Sequence, residues 1–235
     1  MQIDAIKYHF SALRVERYLQ ATQHSAPRAI ELYKLNLKLC QAFHPLLSIL
    51  EVVLRNRIND VLSEHFDDTN WIINQKNGFM SDPSLTYYDK KKKQLTTNEY
   101  LKMEVTKAEK KLRKSNTPVT SGKIITEQTL GFWNSLFYLN HYKLLKGKPI
   151  QIFKTLPPSY GRKEINDELE RVRLIRNRIY HNEPICFIDN CMDFTKVIEA
   201  YASLTRILQW IDPAVVKFIK DLDTVEELVE VAKSI

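Results

Sequence analysis

The stretch VRLIRNRIYHNEPI, Val172 to Ile185, brings Arg173, Arg176, Arg178, Asn177 and His181 together at the end of an apolar-periodic segment. An imidazole titrates near neutral pH, so His181 is the group here that can give and take a proton during a reaction. A guanidinium stays charged and presents paired N–H donors, which suits Arg176 to hold a phosphate or another oxyanion. At about 100° per residue, Ile165, Leu169, Val172, Ile175 and Ile179 fall on one helix face, and Arg176 falls inside that stripe. A buried guanidinium without a partner is expensive, so either it meets an anion or the face is not fully closed. Arg173, Asn177 and His181 follow one another at four-residue intervals along the flank, a polar edge beside a hydrophobic seam.

The pairing is not rare by itself. With 6 histidines in the chain, roughly one arginine followed by histidine after four to six residues arises by chance. Arg17 with His24 is a second such pair, and a helix-capping histidine or an exposed charge is the alternative for each. The tetrad RNRI also recurs, in EVVLRNRINDVL. Aligning Arg55 with Arg176 puts Asp60 where His181 stands, and a carboxylate with a reference pKa of about 3.9 is a poor proton shuttle at neutral pH. Glu51 and Arg55, four residues apart, read there as a pair that supports a helix.

Helices must position these residues, and helical periodicity dominates the chain. Residues 3–22 form a first amphipathic segment. Ser25 with Pro27 reads as the start of a helix that runs to about His65, with Pro45 as a break or kink. Leu47, Leu50, Leu54, Ile58 and Leu62 make one apolar stripe in its second half. Residues 66–96 lack a sustained period and read as an irregular connection. Asn98 can cap a helix to about Lys114, and Ser121 another through GKIITEQTLGFWNSLFYL. After the loop LPPSYGR comes the helix from about Arg162 to His181, ended by Pro184, which pushes Glu183 out of helical geometry. An amphipathic segment at 193–211 and short helices near 213–221 and 224–233 complete an all-α reading with one domain over 1–235.

The net charge of +7 is localised. Between Lys90 and Lys114 ten Lys or Arg face three Glu, which leaves the rest of the chain balanced. A solvated lysine-rich loop and helix is one account of this insert. The other is an electrostatic footprint for a phosphate backbone, carried by Lys90, Lys91, Lys92, Lys93, Lys110, Lys111 and Lys114, with Tyr87, Tyr88 and Tyr100 as stacking faces for unpaired bases.

The 235 residues suffice for one sizeable core, and 44% hydrophobic with 27% charged residues is ordinary for a globular protein. No apolar signal-peptide run opens the chain and no stretch is expected to span a bilayer, so a cytoplasmic protein with no membrane partner is expected. Cys40, Cys186 and Cys191 are too few and scattered for a disulfide framework. His181, Cys186 and Cys191 lack a fourth ligand at a recognisable spacing, so no metal and no cofactor is expected. TSGKII has no glycine frame for a phosphate loop, and no Gly-x-Ser-x-Gly elbow occurs.

Arg176-Asn177-x-x-x-His181 resembles the Arg-x4–6-His signature of HEPN ribonucleases. LLSILEVVLRNRINDVL, GKIITEQTLGFWNSLF, LPPSYGRKEINDELERVRLIRNRIYHNEPI and ILQWIDP resemble, in order, the blocks of the Abi-like (AbiD/AbiF group) abortive-infection family. The resemblance covers about residues 40–215 and leaves the insert at 90–114 unexplained. Many relatives carry two adjacent histidines before Glu-Pro, whereas here Asn182 follows His181. The resemblance implies a HEPN-type helical bundle, here with an N-terminal helical extension and a basic insert. It also implies metal-independent endoribonuclease chemistry: attack of a ribose 2′-OH on the adjacent phosphate, leaving a 2′,3′-cyclic phosphate. His181 would be general acid/base, Arg176 the phosphate clamp and Asn177 an orienting group, with Glu51, Arg55, Asn56 and Arg173 supporting them. RNA is the implied substrate and a homodimer the implied assembly, since HEPN sites pair two signature motifs. An antitoxin and an inhibitory small RNA are further implied partners. A helical domain that holds RNA or a partner protein without cutting is the alternative.

Overall fold

The computed structural model describes residues 3–189 and 191–233. Helices carry the described chain: α1 (Ile3–Phe10), α2 (Ala12–Ala21), α3 (Ala26–Phe66), α4 (Trp71–Asn74), α5 (Tyr100–Lys114), α6 (Ser121–Glu127), α7 (Leu130–Ser135), α8 (Leu139–Leu144), α9 (Arg162–Tyr180), α10 (Thr195–Ile211), α11 (Pro213–Ile219) and α12 (Val225–Lys233). Two small antiparallel strand pairs accompany them, β1 (Thr86–Asp89) with β2 (Gln94–Thr97) and β3 (Phe187–Ile188) with β4 (Cys191–Met192). The fold is all-α in character, as the periodicity predicts.

The first amphipathic segment is two helices. Ser11 breaks it with φ 70°, and its hydroxyl accepts a hydrogen bond from Arg14 N, capping α2. α3 begins where Ser25 and Pro27 place it, but Pro45 does not end it, and the helix runs 41 residues. Around Pro45, Ala42, Phe43, Leu46, Leu47 and Leu50 are all buried. At about 1.5–3 kcal/mol for each large apolar side chain, that burial outweighs the ~3 kcal/mol cost of an internal proline. α3 also corrects the expectation about membrane-length segments. It is long and apolar enough to cross a bilayer, with a window of mean hydropathy 1.5. Leu32, Leu39, Leu46, Leu50, Leu54, Ile58 and Leu62 are nevertheless fully buried within the protein.

The connection expected to be irregular contains α4, three 3-10 turns and the β1–β2 hairpin. The hairpin escapes period-two reading because Tyr87, Tyr88 and Leu95 are all exposed, so neither face is apolar. Asn98 accepts from Tyr100 N, although Glu99 holds the α5 cap position. The single helix expected from Ser121 is broken into α6 and α7, and Thr120 caps α6. The Ser121 hydroxyl instead donates to Asn70 Oδ1 at 2.6 Å.

The chain divides into two compact units, Met1–Ile49 with Glu170–Ile235, and Leu50–Leu169. The first has a core of Val15, Tyr18, Leu39, Phe43, Val172, Phe187, Leu204 and Ile207. The second is built on Leu54, Ile58, Trp71, Met80, Val105, Trp133 and Phe137. His141 is buried in the second unit with its Nδ1 3.0 Å from the Ser135 carbonyl.

Candidate active site

α9 forms where Ile165, Leu169, Val172 and Ile175 present one apolar stripe, and all four are buried. Arg176, inside the stripe, is only half-buried, so the face is incompletely closed. Its guanidinium carbon lies 4.1 Å from the ring centre of Tyr180, one turn on, a cation–π stack. The Tyr180 ring in turn lies 5.9 Å from His44 of α3, tilted by 34°.

His181 closes the helix. Its N–H donates to the Asn177 carbonyl at 3.0 Å, the N–H of Asn182 to Ile179, and the N–H of Glu183 to Arg178 at 2.8 Å. This is a Schellman ending with Asn182 in the left-handed conformation, φ 55°. Asparagine is one of the few residues that adopts that conformation cheaply, which gives Asn182 a structural reason at this position. The turn is fastened on three sides within the first unit. Arg14 Nη2 donates to the Asn182 carbonyl at 2.6 Å, Arg178 Nη2 to the Pro184 carbonyl at 2.6 Å, and Ile185 N to the buried Asn36 Oδ1 at 2.8 Å. The His181 side chain is exposed and makes no hydrogen bond among the described residues. A fixed backbone with an open imidazole is what proton transfer to a bound substrate requires.

Arg173, on the same edge, is engaged by Glu170, with Nε 2.9 Å from Oε2 and a second contact between Nη2 and Oε1. It stabilises the helix surface here and is not a bare cation. Glu51, Arg55 and Asn56 lie on the part of α3 that belongs to the second unit, the first two half-buried and Asn56 exposed. Asp60, at the place of the histidine in that RNRI copy, pairs with Arg57 at 2.7 Å. The other chance pair also has ordinary partners. Arg17 reaches the Asp189 carbonyl and stacks on Phe187, and His24 lies 3.8 Å from Glu16.

The seven lysines of the insert divide in two. Lys90–Lys93 form the exposed tip of the β1–β2 hairpin, where Asp89 Oδ1 accepts from the backbone of Lys91 and Lys92. Lys110, Lys111 and Lys114 project from α5, and Lys111 is paired with Glu127 at 2.5 Å. All belong to the second unit. Tyr87 and Tyr88 stand exposed beside the lysine tip, whereas Tyr100 is half-buried.

Burial holds two cysteines as thiols: Cys40 is pushed up to about 11 and Cys186 to about 12. Cys191 is exposed. Among the described residues no group of three or more His, Cys, Asp or Glu is arranged to hold a metal ion.

Arg14, Asn36, His44 and Tyr180 are the residues at this site that sequence reasoning missed. Tyr180 had a signal, its four-residue spacing from Arg176. The others are more than a hundred residues away in the chain and had none. Compared with known proteins, the chain matches no family model, and no curated protein or solved structure matches it significantly.

Proposed function

We propose that the chain is a metal-independent endoribonuclease of HEPN type, acting in the cytoplasm as a toxin of the abortive-infection kind against phage. The observation that carries this reading is the end of α9. An exposed imidazole sits on a turn fixed from three sides, five residues after a half-buried arginine in an apolar stripe. In the proposed reaction the 2′-OH of a ribose loses its proton to an imidazole and attacks the adjacent phosphate. The 5′-oxygen then leaves with a proton, giving a 2′,3′-cyclic phosphate and a 5′-OH. Arg176 stabilises the charge that develops on the phosphorane, and Asn177 orients the phosphate. The nucleophile belongs to the RNA itself, so no metal is needed to generate it. A single signature copy makes a homodimer the working assembly.

The test is to incubate purified protein with a mixed RNA pool in excess EDTA and to map the ends. Cuts bearing cyclic phosphate are expected. His181→Ala should lower cleavage by about 10² or more while RNA binding is largely kept, and Arg176→Ala should damage both. Toxicity on expression should be relieved by His181→Ala. A non-cutting RNA-binding domain is the second reading, and the exposed Lys90–Lys93 tip with Tyr87 and Tyr88 favours it. Wild-type protein that binds RNA and never cuts it would decide for that reading.

A further inference from the structure

Beside the His181 turn, within the first unit, lies a groove of about 790 Å³. Its size falls in the range of roughly 300–1,000 Å³ typical of ligand sites. We infer that this groove is a base-binding subsite, taking one unstacked base of a single-stranded RNA next to the phosphate that is cut. The inference rests on the endoribonuclease reading for the word "cut", but the groove itself does not.

Four observations point to a nucleobase. First, the groove is continuous with the candidate active site: Asn182, the residue after His181, and Ile179 of α9 both line it. A base seated there is held by the residue that follows the one carrying the imidazole. Second, Pro45, Ile179, Leu222 and Leu228 give it an apolar surface for a flat ring. His44, also in the lining, stands against Tyr180, an exposed residue whose ring carries the Arg176 guanidinium. Stacking on such a platform holds a base in a sequence-tolerant way.

Third, two amides are left for the edge of the base. Gln41 and Asn182 line the groove, and neither side chain makes a hydrogen bond among the described residues. Each offers both donors and an acceptor, the complement of a Watson–Crick edge that is not already paired. A duplex cannot present that edge, so the substrate class is single-stranded. Fourth, the lining contains a cation and no carboxylate. Lys38 is exposed and has no ion-pair partner among the described residues, and Glu226 and Glu227 of α12 are not part of the wall. Charge therefore favours a ligand bearing phosphates over an acidic peptide.

Two arms test this. In the first, cut ends are mapped over single-stranded oligonucleotides randomised around the cut, for wild type, Gln41→Leu and Leu222→Trp. Wild type should prefer one base at one position. Gln41→Leu should lower that preference about tenfold, the worth of a lost hydrogen bond to the base edge, and Leu222→Trp, which fills the groove, should abolish it. Cleavage with wild-type preference in both variants overturns the inference and leaves the endoribonuclease reading standing. In the second arm, folded His181→Ala protein is photo-crosslinked to a trinucleotide carrying 5-iodouracil at each position in turn. Crosslinks to His44, Tyr180 or Gln41 are expected, and their loss in Leu222→Trp. Crosslinks confined to the Lys90–Lys93 hairpin, no crosslinks, or an apolar molecule or peptide co-purifying in the groove overturn it. Because this arm needs no cleavage, a protein that never cuts RNA still decides whether the groove holds a base.

Discussion

Asn36 shows how much of a candidate site can rest on one amide. Its Oδ1 takes the only N–H that Ile185 has, in a buried setting and across 149 residues of chain. Asn36→Ala leaves that N–H unsatisfied, which costs about 1–3 kcal/mol. A urea melt of the variant should show this loss with the m-value unchanged. His141 makes a second prediction. Burial lowers its pKa below the usual 6.5, although its hydrogen bond with the Ser135 carbonyl works the other way. His65 is lowered too, by partial burial and by Lys148 and Lys146. A histidine lowered on folding contributes stability that is complete above about pH 6.5 and is lost as pH falls toward the folded value, because the unfolded chain takes the proton first. Stability should therefore fall as pH drops below about 6.5, and His141→Gln, which keeps a donor for Ser135, should flatten the fall in matched urea titrations. If the variant keeps the full slope, His141 is not the source. At this scale the sequence named Arg176, Asn177 and His181 by type and spacing. It was silent on Asn36, Arg14 and His44, because partners so distant in the chain leave no periodic trace.

At the scale of elements, long apolar periods were legible and short polar ones were not. α9 and α10 stand close to where their stripes place them, and Pro184 marks the end of α9 within a few residues. α3 outran its proline because burial on both sides of Pro45 exceeds the local cost, a balance that local preference cannot show. The β1–β2 hairpin was invisible because both its faces meet solvent. That hairpin changes what the basic insert means. Four lysines on a tip braced by Asp89 form a compact cationic knob, whereas Lys111 on α5 is already matched by Glu127. Reversing Lys90–Lys93 to glutamate should weaken RNA binding and reduce the log–log salt slope by about 0.7 for each phosphate that is no longer neutralised. Reversing Lys111 should change it less. Equal slopes for wild type and the hairpin variant would make the tip a solvated turn and nothing more.

For the whole molecule, the chain separates into two units, and both α3 and α9 contribute residues to each. The proposed nuclease has one signature motif per chain, so it should run as a dimer in multi-angle light scattering at micromolar concentration. A strict monomer with full activity would sink the paired-motif arrangement. The parts around His181 come from widely separated places: Arg14 and Asn36 hold its turn, His44 stands against Tyr180, and Leu222 and Leu228 line the adjoining groove. On the ribosome those segments emerge in that order. A nascent chain that has reached His181 still lacks Leu222 and Leu228, so the His181 turn is made before the wall of the groove beside it exists.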